Sequence, residues 1–185
     1  MYETLGLSLR AYWIAYGGWR ELAGSPFLHG ALFISIISFP IWTQSDWWQV
    51  ALPVISTILG FTIGAYAILL GFSGSNFLSA LAGRESDGSQ SPLMDINATF
   101  MHFLIVALFS LILTTLSISV NNFSILRLVH QYYDVPVIVF YLNKAINLFL
   151  NFFFYSVFSY SLSLILATSF ALFRLVRDFD ESANP

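Results

Sequence analysis

The chain has 185 residues, of which 57% are hydrophobic, 18% aromatic and only 9% charged, against about 25% charged in a soluble domain. A water-soluble fold of this length could not hide so much apolar surface. The composition therefore argues against a soluble catalytic domain and predicts one membrane domain over residues 1–185, embedded in a lipid bilayer. Without cysteine there are no disulfides, thiolate metal sites or cysteine nucleophiles, and a net charge of -3 offers no basic surface for direct nucleic-acid contact.

Residues 2–24 place Leu5, Leu9, Tyr12, Trp13, Tyr16 and Trp19 on one side at helical spacing, with Glu3, Arg10 and Glu21 elsewhere. Glu3 precedes any basic residue and Arg10 interrupts the apolar run, which does not match a signal peptide. The pattern predicts an amphipathic helix in the headgroup layer, where Trp and Tyr concentrate.

A first span follows at 26–42, with Pro26 at its start and Pro40 near its exit. It is short for a crossing, which local thinning of the bilayer accommodates. TQSD at 43–46 is a tight connection to the next span, so the two form a hairpin. Trp42, Trp47 and Trp48 are expected to mark an interface belt at its tip.

Residues 47–73 contain no charged side chain. As a helix they would extend roughly 40 Å at about 1.5 Å per residue, enough to cross a bilayer with some tilt. Pro53 is expected to kink this helix or to mark its true start. Ser56, Gly60, Gly64, Ala67 and Gly71 recur at steps of four, four, three and four and share a face. Close backbone approach across such residues is one of the few ways helices associate in hydrocarbon. Packing against a neighbouring helix of the same chain is the default expectation for this stripe. Homo-oligomerisation through Gly60 and Gly64 is the sharper alternative.

Residues 74–95 form a polar loop around GRESDGSQSP, in which Arg84, Glu85 and Asp87 are candidate contacts for a partner protein. The third span is expected over 98–120, capped by Asp95 or Asn97. Residues 121–137, with Arg127, His130 and Asp134 among apolar neighbours, look interfacial. A helical pattern without Pro or Gly then runs over 139–175 and crosses the membrane at about 150–173. The tail, 174–185, exits into water and offers Arg177 and Asp178 as further partner contacts. The predicted fold is thus an all-α integral membrane protein of four transmembrane helices with an N-terminal amphipathic interfacial helix.

On alternate sides of four spans, Arg10, Arg20, Arg84, Arg174 and Arg177 share one side, and Arg127 and Lys144 the other. The excess of basic residues places the first side, with both termini, in the cytoplasm. For a bacterial protein this means the inner membrane.

In the last helix Lys144, Asn147, Asn151, Tyr155 and Ser159 share a face at steps of three, four, four and four. Polar groups in hydrocarbon need partners, so this face should point to other helices or to water. Interhelical hydrogen bonding is the favoured expectation, and a water-filled path the alternative. His29, His102 and His130 are scattered, with no second His four residues on, so no metal site is expected. No nucleophile, phosphate-loop or nicotinamide motif is present, and neither enzyme activity nor a cofactor is expected.

In size and layout, with the hairpin over 26–73, the loop at 74–95 and the long last helix, the chain resembles the small four-span membrane proteins of bacterial antiphage defence systems, such as the KwaA-like subunits of Kiwa. The resemblance implies an oligomeric membrane component that detects phage-induced envelope stress and controls a cytoplasmic DNA-binding partner. Three functions compete. One is an oligomeric sensor or effector with a cytoplasmic protein partner, and another a small ion channel or transporter lined by the polar face. The third is a structural anchoring subunit of a larger membrane complex.

Overall fold

The computed structural model describes residues 2–44, 46–72, 91–122 and 136–183. Every element among them is helical: α1 (Tyr2–Tyr16), α2 (Gly18–Gly24), α3 (Pro26–Ile37), α4 (Phe39–Trp42), α5 (Trp48–Phe72), α6 (Pro92–Asn122) and α7 (Val137–Ala183). Among the described residues, three helices are long and apolar enough to cross a membrane, over Trp48–Ile68, Pro92–Ser119 and Val137–Arg174. The chain is therefore a membrane protein. Its outward faces agree, because Phe33, Phe61, Phe149 and Phe173 are all exposed, as lipid-facing side chains are.

The expected first span is a shorter apolar helix, Pro26–Ile37. Pro26 opens α3, where its missing N–H is no loss. The helix stops at Ser38 (φ -82°, ψ 15°) and restarts as the four-residue α4. Pro40 is the cause, since it cannot donate to the carbonyl four residues back and its ring crowds that carbonyl. Twelve residues span only about 18 Å at about 1.5 Å per residue, well short of the roughly 30 Å hydrocarbon core.

The N-terminal segment is two helices rather than one. Gly17 (φ 96°) and Gly18 (φ 65°) break it in the left-handed region. A Cβ on Gly17 would also lie 2.9 Å from the Cβ of Glu21, so only glycine fits there.

Pro53 lies inside α5, whose start is at Trp48. α6 begins earlier than the sequence pattern suggests. Its cap is Ser91, whose Oγ accepts from the Met94 N–H at 3.2 Å, rather than Asp95 or Asn97. Asn97 instead accepts a hydrogen bond from the Tyr66 hydroxyl and ties α5 to α6. Most of the expected loop, and all of the 123–135 connection with Arg127, His130 and Asp134, lie outside the described residues.

α7 is the central rod, a single helix of 47 residues that continues into the charged tail as far as Ala183. α3 and α6 pack along it, α5 packs on α6, and α1 lies against α6. The α6 face is a row of small side chains, Ala107, Ser110, Thr114 and Ser117, all fully buried. Small residues let backbones approach closely, which is the main source of helix adhesion in lipid.

The tip tryptophans do not form an exposed belt. Trp42, Trp47 and Trp48 are buried, and two of them satisfy their indole N–H groups internally. Trp42 Nε1 donates to the Ser35 carbonyl at 2.7 Å, and Trp47 Nε1 to Asn151 Oδ1 at 3.0 Å. α7 runs past the hairpin tip and covers these rings, with Trp42 against Phe152 and Trp47 against Tyr155.

Candidate functional site

A polar cluster centred on His102 joins helices distant in sequence. His102, one-third of the way along α6, is 3% exposed. The Tyr12 hydroxyl lies 2.6 Å from its Nδ1, and the Tyr160 hydroxyl lies 2.9 Å from its Nε2. Tyr16, one turn after Tyr12, stacks on the imidazole with ring centroids 3.8 Å apart and planes 10° from parallel. Its hydroxyl reaches that of Tyr160 at 3.5 Å.

A neutral imidazole has one donor and one acceptor nitrogen. One arrangement satisfies every member: Tyr12 donates to Nδ1, Nε2–H donates to the Tyr160 oxygen, and Tyr160 donates on to Tyr16. Burial pushes the Tyr12 phenol up to about 12, with the neighbouring Tyr16 adding to the rise. Tyr16 is raised as well, first by burial, with the Tyr160 hydrogen bond opposing and Glu21 adding. Both phenols on α1 thus remain protonated donors throughout the physiological range.

The cluster matters because α1 has no buried residue of its own. Tyr12, Trp13 and Tyr16 are half-buried, and Leu5, Leu9 and Trp19 are exposed. An isolated 15-residue helix is marginal in water. The Tyr12–His102–Tyr160 latch and the Tyr16 ring stack fix α1 to two of the spans. Each hydrogen bond is worth about 1 kcal/mol net, and more where its loss strands a buried partner.

Two cavities meet at His102. One, of about 400 Å³, is mixed in character: Glu21, Ser25, Asp95, Thr99, His102 and Arg174 give it its polar side, and residues such as Phe27, Leu164 and Phe170 an apolar one. The other, of about 500 Å³, is almost wholly apolar and lies under α1 between Leu9, Trp13, Ile105, Phe109 and Val157.

The polar face of α7 divides along its length. Lys144 is exposed and Asn147 half-buried, while Asn151, Tyr155 and Ser159 are buried. Asn151 accepts from Trp47 and donates through Nδ2 to the Asn147 carbonyl at 3.0 Å. These inner members are engaged in helix contacts.

The small-residue face of α5 behaves differently from its default expectation. Ser56, Gly60, Gly64, Ala67 and Gly71 are all exposed. A Cβ added at Gly60, Gly64 or Gly71 would meet nothing within 4 Å. Among the described residues, α5 therefore does not use this stripe inside the chain. It turns Ala51 and Ile55 inward instead, and the seam within the chain belongs to α6.

Arg84, Glu85 and Asp87 lie outside the described residues, and Arg177 and Asp178 sit on the last turns of α7, with Arg177 exposed. Among the described residues no three His, Asp or Glu side chains gather where they could hold a metal ion. No protein-family model, curated protein or solved structure matches the chain.

Proposed function

We propose that this protein is one subunit of an oligomeric sensor or effector in a bacterial inner membrane, acting through a cytoplasmic protein partner. In this reading the chain crosses the membrane four times, with α3 and α4 as a short first pass and both termini in the cytoplasm. The resemblance of its size and layout to KwaA-like subunits supports a role in antiphage defence, responding to a disturbed envelope.

One observation carries the reading. The inner polar groups of α7, Asn151, Tyr155 and Ser159, are turned inward onto other helices, while the small-residue face of α5 is exposed among the described residues. That is the reverse of a pore-lining subunit. It suits a subunit that meets further helices through its α5 face. α1, attached to the spans chiefly through the His102 cluster, is the element a change in the bilayer would displace first.

The test is purification from the native host in mild detergent, followed by native mass spectrometry. A subunit count above one, with a co-purifying cytoplasmic protein lost on deleting residues 84–92, supports the reading. A monomer without partner, in lipid nanodiscs as well as in detergent, overturns it.

A further inference from the structure

We propose that the two cavities meeting at His102 form a single binding site for a phospholipid with an amine headgroup, of the phosphatidylethanolamine class. The headgroup lies in the polar cleft and one acyl chain in the apolar one. The inference needs only a membrane around the protein, and holds whether or not the protein signals.

Position comes first. The polar cleft lies where α3 begins at Pro26, α6 at Pro92, and the apolar stretch of α7 ends at Arg174. Charged residues cluster where apolar spans end because that is the headgroup layer. Depth comes second. The apolar cavity is lined by Ile105 and Phe109, one and two turns further into α6 from His102. The pair therefore runs from headgroup level towards the hydrocarbon, as a lipid does. Both volumes, about 400 and 500 Å³, fall in the roughly 300–1,000 Å³ range of ligand sites.

Charge selects the headgroup. Glu21 and Asp95 supply two carboxylates and Arg174 one guanidinium around the same cleft. The guanidinium is suited to a phosphate, which it can hold through two parallel hydrogen bonds. The carboxylates are suited to a primary ammonium with three N–H donors. A headgroup that is anionic throughout would meet two like charges against one opposite charge. A quaternary ammonium would bring no N–H donor to the carboxylates.

The three charged residues are exposed, so neutral substitutions at them leave the packing intact. The full-length protein would be titrated in detergent with phosphatidylethanolamine, phosphatidylcholine or phosphatidylglycerol of identical chains, and retained lipid counted by native mass spectrometry. We expect phosphatidylethanolamine to be held about tenfold more tightly than phosphatidylglycerol. Glu21→Gln with Asp95→Asn should abolish that preference, and Arg174→Gln should weaken retention of all three lipids. Ile105→Trp, which fills the apolar cavity, should also weaken all three. Equal retention of the three by the unsubstituted protein, or a preference for either of the other two, overturns the headgroup assignment. Retention unchanged by Ile105→Trp overturns the acyl-chain assignment.

Discussion

The chain carries two stripes of small side chains on two neighbouring spans, and they have opposite fates. On α6, Ala107, Ser110, Thr114 and Ser117 are fully buried. On α5, Ser56, Gly60, Gly64, Ala67 and Gly71 are exposed, with open space beyond the glycines. By residue size alone the second stripe is the better packing surface, since glycine permits the closest approach. Stripe chemistry thus identifies a helix able to pack closely. What decides whether it packs inside its own chain is the supply of neighbours. α6 lies between α5 and α7, and among the described residues α5 packs mainly on α6, with a smaller contact to α7.

The largest effect should come from filling the closed stripe. Ala107→Leu forces a larger side chain into a fully buried site and should cost about 1–3 kcal/mol, read as a lowered unfolding temperature in detergent. Gly60→Leu on the open stripe should leave monomer unfolding within about 0.5 kcal/mol, while reducing the subunit count in native mass spectrometry. Equal damage from the two substitutions would erase the distinction between the stripes.

Next comes the polar contact at the far end of the bundle. Asn151→Leu strands the buried Trp47 indole N–H and should cost about 1–3 kcal/mol. If α7 lines a conducting path, the same substitution should change ion flux into vesicles. We expect flux at background both before and after it.

Removing the Tyr12 hydroxyl probes the attachment of α1. Tyr12→Phe breaks one hydrogen bond to His102 and should cost about 1 kcal/mol, loosening α1 to protease while the spans stay protected. The Tyr12 phenol is raised from 10.0 to about 12. Its contribution is therefore complete below pH 10, where the free phenol is still protonated, and is lost as pH rises through about 12. Tyrosinate absorbance should show one phenol fewer titrating near 12 in Tyr12→Phe.

The smallest effect is expected at Thr114. Its buried hydroxyl, like that of Ser110, has no hydrogen-bond partner among the described residues. Thr114→Val keeps the shape and removes the unpaired group, so unfolding should shift by no more than about 0.5 kcal/mol, towards greater stability.

Hydropathy was enough to locate the three long apolar helices, because the bilayer imposes length and polarity on every residue of a span. The expected second span at 47–73 lies within a residue or so of α5. Element ends were harder. Ser91 is an ordinary loop residue until its Oγ meets the Met94 N–H, and the break at Ser38 depends on how Pro40 is accommodated. The closed stripe has a signal in the sequence, the three- and four-residue steps of Ala107, Ser110, Thr114 and Ser117, but it is hidden among residues common in any helix.

The His102 cluster had no local signal at all. Its partners lie 90 residues before it, at Tyr12, and 58 residues after it, at Tyr160. Only the fold brings them together, and a single histidine in an apolar helix is indistinguishable in sequence from one without partners. The same holds for Trp47, whose partner Asn151 is 104 residues away. A tryptophan beside a turn suggests an interfacial ring unless that partner is known.

Over its 47 residues, from Val137 to Ala183, α7 contains neither glycine nor proline. At about 1.5 Å per residue it measures roughly 70 Å, more than twice the thickness of the hydrocarbon layer. A rod of that length cannot be contained in the hydrocarbon layer, so at least one of its ends reaches the headgroups or the water beyond.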